Sequence, residues 1–78
     1  MREKKDTLVV TFKTTTQAMA AEKFCQQNGL PGRIIPVPRE ITAGCGLSWK
    51  AAPEDWDALS AAFTEAGLGW DEMHIVKI

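Results

Sequence analysis

Two hydrophobic periods alternate along this chain, and the switches between them mark out a sequence of strands and helices. Thr7 to Lys13 reads Thr-Leu-Val-Val-Thr-Phe-Lys, which is β-branched, apolar and of strand length. Thr14, Thr15 and Thr16 follow, and each can cap a helix start with its hydroxyl oxygen. Ala18, Ala21 and Cys25 then share one helical face, with Phe24 beside them and Gln17, Lys23 and Gln27 turned outward. That pattern predicts a helix to about Asn28, stopped by Asn28-Gly29 and the Pro31-Gly32 turn. Arg33 to Pro38 reads as a second strand. Pro36 and Pro38 remove donors from one of its sides, which demands an edge position.

Leu47, Trp49 and Ala51 alternate with Ser48 and Lys50, the pattern of a strand with one buried face. Pro53 suits a first helical position, and Glu54 and Asp55 suit the positive end of the helix dipole. Trp56, Leu59, Ala62, Phe63 and Ala66 form the apolar stripe of this second helix, which Gly67 and Gly69 end. Trp70 to Ile78 closes the chain as a strand, with Met73, Ile75 and Lys77 on one face and His74, Val76 and Ile78 on the other.

The order strand, helix, strand, strand, helix, strand predicts an α+β fold, a ferredoxin-like βαββαβ sandwich. Its four-stranded antiparallel sheet carries both helices on one face. In the usual order of that sheet, 4-1-3-2, the second strand lies at an edge, where the two prolines ask it to be. One domain spans residues 1–78, with 1–6 as a flexible leader.

Composition narrows the function. With 78 residues, the chain can bury roughly 60% of its unfolded surface, so apolar residues at 45% and three tryptophans have to supply the core. Nine basic against ten acidic residues give a net charge of −1, which argues against a nucleic-acid partner. No apolar run approaches the roughly 20 residues a membrane helix needs. A cytoplasmic protein with reduced thiols is the expectation. One histidine and two cysteines, without metal-ligand spacing, offer too few ligands for a metal site within one chain. A second copy docking on the open sheet face or an edge would help so small a core.

The residue with the most chemical potential is Cys45, set between Gly44 and Gly46. Two glycines leave a thiol little steric cover and free the backbone around it. The topology puts the Arg39–Gly46 loop at the end of the sheet where the first helix starts. If the loop folds inward, Cys45 approaches the N–H groups near Thr14, Thr15 and Thr16, an environment that favours thiolate. Arg39 and Lys13 are the nearest cations. The plainer reading is that cysteine sits there because a small residue fits the turn, and chemistry alone leaves both open. Cys25, on an alanine-rich helical face, reads as core. His74 lacks a catalytic partner at a telling spacing, and Ser48 with Lys50 at i, i+2 does not make a dyad.

The run Ile35-Pro36-Val37-Pro38-Arg39-Glu40-Ile41-Thr42-Ala43-Gly44-Cys45-Gly46-Leu47 resembles the selenium/sulfur carrier protein-like family of short bacterial proteins. Phe12, Thr15, Thr16, Ala18, Glu22, Lys23, Gly29 and Pro31-Gly32-Arg33 support the resemblance, which extends from about Thr7 to Ile78. It implies a carrier rather than a turnover enzyme. Sulfur or selenium would ride on Cys45 as a persulfide or perselenide, with Arg39, Gly44 and Gly46 as the supporting loop. The implied partners are a protein donor and a protein acceptor, and no cofactor is needed beyond the carried atom. Two other readings stand beside it: a non-catalytic binding or dimerisation module, and a redox sensor acting through Cys45.

Overall fold

Thr7 to Thr11 point alternately to the two sides of a strand, and all five are buried, so this segment has to be flanked and covered on both faces. The computed structural model describes residues 4–39, 41 and 45–78. β1 spans Asp6–Thr11, α1 Thr15–Gln27, β2 Arg33–Pro36 and β3 Leu47–Ala51. A 3-10 turn at Pro53–Asp55 leads directly into α2, Trp56–Ala66, and β4 spans Met73–Lys77. The sheet order is β2-β3-β1-β4 with every pairing antiparallel, the ferredoxin-like arrangement expected from the element order. β2 is an edge strand, as Pro36 requires.

The register places Val10 opposite Trp49 and Leu8 opposite Ala51, so these four share one face. They form a single core with Phe12, with Ala18, Ala21 and Cys25 of α1, and with Leu59 and Phe63 of α2. Both helices therefore lie on the same side. Aromatic rings fill the space under them: Trp56 meets Trp70 edge-on at 5.5 Å, and Phe63 lies 6.0 Å from Trp70 and 6.2 Å from Phe24. Such pairs add roughly 0.5–1.5 kcal/mol beyond the area they bury.

The opposite face carries Thr7, Val9, Thr11 and Ser48, all buried. Its hydroxyls find acceptors within the chain. Thr7 donates to the Lys5 carbonyl at 3.1 Å and Ser48 to the Ile35 carbonyl at 3.2 Å. Among the described residues no buried side-chain polar atom lacks a partner.

Several element ends differ from the sequence expectation: β1 stops at Thr11 rather than Lys13, and the second helix opens as a 3-10 turn before α2 proper begins at Trp56. β2 stops at Pro36 rather than Pro38, because β3 opposite it begins only at Leu47. β4 begins at Met73 rather than Trp70: Trp70 is drawn into the aromatic cluster, and Thr11 holds the intervening backbone. Thr11 N donates to the Glu72 carbonyl at 2.8 Å, and Asp71 N to the Thr11 carbonyl at 2.7 Å. Of the leader expected over 1–6, residues 1–3 lie outside the described residues. Asp6 opens β1, and Lys5 and Ile78 exchange backbone hydrogen bonds of 3.3 and 3.2 Å.

Gly32 shows how tightly β2 approaches β3. Trp49 Nε1 donates to the Pro31 carbonyl at 3.0 Å, which lays the indole along the turn. A Cβ on Gly32 would run into that indole and the Lys50 carbonyl oxygen, and the residue's φ of 112° is itself glycine territory. Gly46 has a comparable φ of 94° but nothing within 4 Å of its would-be Cβ. Gly32→Ala should therefore cost about 2–3 kcal/mol and Gly46→Ala about 1 kcal/mol, measured by urea denaturation. Equal losses would mean that the indole yields and only the backbone angle matters.

Candidate functional site

An antiparallel sheet in this order brings three connections to one end: β1 to α1, α2 to β4, and the loop entering β3. The structure ties them together. Cys45 N donates to the Phe12 carbonyl at 2.9 Å, which fastens Cys45 against the end of β1. Val37 N donates to the Gly46 carbonyl at 3.0 Å, which fastens the other side of the same turn. Gly46 supplies the positive φ between these two anchors. A non-glycine residue there would hold the turn at a cost in strain.

The Cys45 side chain is half-buried, resting against the helix-side core while part of it stays open to solvent. Its sulfur stands 4.0 Å from the Leu47 carbonyl oxygen, a long and weak contact. The thiol is thus held mainly through its backbone.

α1 begins just after Phe12, whose carbonyl holds Cys45 N. Thr14 is the N-cap, in extended geometry, and its hydroxyl oxygen accepts from Gln17 N at 3.1 Å. Gln17 answers by accepting from Lys13 N through Oε1 at 3.1 Å. Thr15 and Thr16 are exposed and occupy the first two helical positions, whose N–H groups have no acceptor within the helix. No acidic side chain stands in the first turn to offset the positive end of the dipole. The cap takes up the N–H groups of Gln17 and Lys13 and leaves the backbone donors of Thr15 and Thr16 free of it.

Arg39 is exposed, in a turn whose ends are joined by Ile41 N donating to the Pro38 carbonyl at 3.0 Å. Among the described residues no hydrogen bond or ion pair links Arg39 to Cys45. Gly44, expected to flank the thiol, lies outside the described residues. Lys13 is exposed and contributes only its backbone N–H to the cap.

The remaining sequence candidates have structural partners. Ser48 is fully buried and its hydroxyl proton goes to the Ile35 carbonyl, which leaves nothing for Lys50 to activate. His74 Nε2 meets Glu72 Oε1 at 2.9 Å. Both cysteines are free thiols, but Cys25 is fully buried and its pKa is pushed up to about 11 by that burial. Two participants were not anticipated. The Phe12 and Leu47 carbonyls act through backbone atoms that carry no residue-type signal. Gln17 was legible in principle, because Thr14-x-x-Gln17 is a capping-box spacing.

Residues 7–75 match the model of a family described as "Putative Se/S carrier protein-like". No curated protein matches the chain, and no solved structure does. Among the described residues, no helix is long and apolar enough to cross a membrane.

The contrast between the two thiols has a measurable consequence. Alkylation of the native protein near pH 8 should modify Cys45 and spare Cys25, which should react only on unfolding. Cys25 is protonated in the folded state up to about pH 11, whereas an unfolded cysteine ionises near about 8.5. Stability should therefore be unaffected by this group below about pH 8.5 and fall by up to about 1.4 kcal/mol per pH unit from there towards 11. Urea titrations of the wild type and Cys25→Ala across that range check it, since the variant should lose this part of the slope.

Proposed function

The chain belongs to the Se/S carrier protein-like family, and we propose that it carries sulfur or selenium on Cys45 as a persulfide or perselenide for delivery to a partner protein. The observation that carries the proposal is the partly exposed Cys45, pinned at the exit of its loop by the bond to the carbonyl of Phe12, two residues before the N-cap Thr14 of α1. Exposure is what a carrier needs, because a partner's nucleophile has to reach the carried atom.

The chemistry is a displacement at sulfur, conservative in electrons. The Cys45 thiolate attacks the outer atom of a donor persulfide or perselenide. A new bond forms from Cys45 to that atom, the donor's own bond to it breaks, and the donor leaves as a thiolate. An acceptor nucleophile then attacks the outer atom and releases Cys45 as thiolate again. No second cysteine is required, and buried Cys25 takes no part. The N–H groups of Thr15 and Thr16, with the helix dipole behind them, favour an anion at this end. Exposed Arg39 offers a charge for a partner at the loop's rim. The cytoplasm, where thiols stay reduced, is the compartment this chemistry requires.

Intact mass after incubation with glutathione persulfide tests the reading. The wild type and Cys25→Ala should each gain one sulfur, which a small thiol acceptor then removes. Cys45→Ser, folded by circular dichroism, should gain none. A Cys45 that remains unmodified in the folded wild type would overturn the carrier and favour a binding module.

A further inference from the structure

At the end of the sheet opposite Cys45, the starts of β1 and β2, the end of β3 and the 3-10 turn enclose an open cleft of about 570 Å³. That volume is within the range of small-molecule sites, roughly 300–1,000 Å³. Three cations line it, Lys5, Arg33 and Lys50, together with two acids, Asp6 and Asp55. Gly32 and Ala51 in its lining have too little side chain to fill it.

The cations are arranged in a way the fold alone does not reward. Arg33 and Lys50 stand directly opposite each other in the β2–β3 ladder, and like charges so placed repel. Among the described residues neither is in an ion pair, although two carboxylates line the same cleft. Asp55 instead accepts from Ala52 N through Oδ2 at 3.3 Å, and Asp6 stands opposite Lys77 in the β1–β4 ladder, away from β2. Lys5 is held at the rim by its backbone: its carbonyl accepts from the Thr7 hydroxyl at 3.1 Å and from Ile78 N at 3.2 Å.

We propose that this cleft is a second site, for a small phosphate-bearing molecule with hydroxyl groups. The phosphate sits between Arg33, Lys50 and Lys5, where its charge relieves the repulsion across the ladder. Arginine's planar fork suits two phosphate oxygens at once, and the lysines add point charges. A dianion matches three cations lining one cleft better than a single carboxylate does. The carboxylates of Asp6 and Asp55 then serve as acceptors for hydroxyl donors elsewhere on the molecule. This site is separate from Cys45 and stands whether or not Cys45 carries a chalcogen.

An amide NMR titration with ribose 5-phosphate tests it on the full chain. Saturable shifts should appear at Lys5, Gly32, Arg33 and Lys50, with Cys45 and Gly46 unmoved. Inorganic phosphate should compete, and ribose alone should leave the spectrum unchanged. Arg33→Gln and Lys50→Gln should each weaken binding at least about tenfold, the loss expected for a charged hydrogen bond. The site is refuted if the wild type shows no saturable shift at millimolar ribose 5-phosphate. It is equally refuted if ribose alone gives the same shifts, or if the folded variants bind as the wild type does.

Discussion

β1 can occupy the middle of the sheet only because five consecutive residues, Thr7 to Thr11, tolerate removal from water on both faces. Leu8, Val9 and Val10 are apolar, and the hydroxyls of Thr7 and Thr11 bond to backbone groups of Lys5 and Glu72. An unpartnered polar group at any of these positions would cost about 1–3 kcal/mol, a large share of what a domain this small has to spare. With β1 central, β3 and β4 take its two sides and β2 is left at the edge. The helices then have one face available, the one that Leu8, Val10 and Trp49 make apolar.

The placement of Cys45 follows from the same strand. β1 ends at Thr11, and the next carbonyl, that of Phe12, is free to accept from Cys45 N because Phe12 lies beyond the last residue of the ladder. Phe12 is also fully buried, so the acceptor is anchored by its own side chain in the core. The thiol is thereby coupled to the hydrophobic core through one backbone hydrogen bond. Thr11, one residue earlier, ties down Asp71 and Glu72 on the other side. Three connections far apart in the chain converge because they are all fastened to the last turn of one strand.

The two ends of the sheet have different characters. At the Cys45 end stand a half-buried thiol and a helix start with no acid in its first turn. At the other end, cations from β2 and β3 are set opposite one another beside Gly32. About 3.3 Å per residue along a strand keeps these ends too far apart to share one small ligand. Val9 shows what the open face requires: with Lys50 and His74 on either side of it in the ladder, it is fully buried although no helix lies there. Long side chains cover apolar surface with their stems while their polar ends stay wet.

The order of elements, the edge position of β2, the buried role of Cys25 and the family were all legible in the chain itself. Alternation, helical spacing and the prolines act locally, so a neighbour's identity is enough to read them. The same holds for Cys45 as the residue to watch, since two flanking glycines are a local signal. Where β4 begins was decided by Thr11, which bonds Glu72 from 61 positions away, and by Trp70 turning into the aromatic cluster. The bond from Cys45 to the Phe12 carbonyl and the apposition of Arg33 with Lys50 likewise exist only once the strands are paired. Backbone acceptors carry no residue-type signature, and cross-strand neighbours depend on register, so only the folded sheet could specify them.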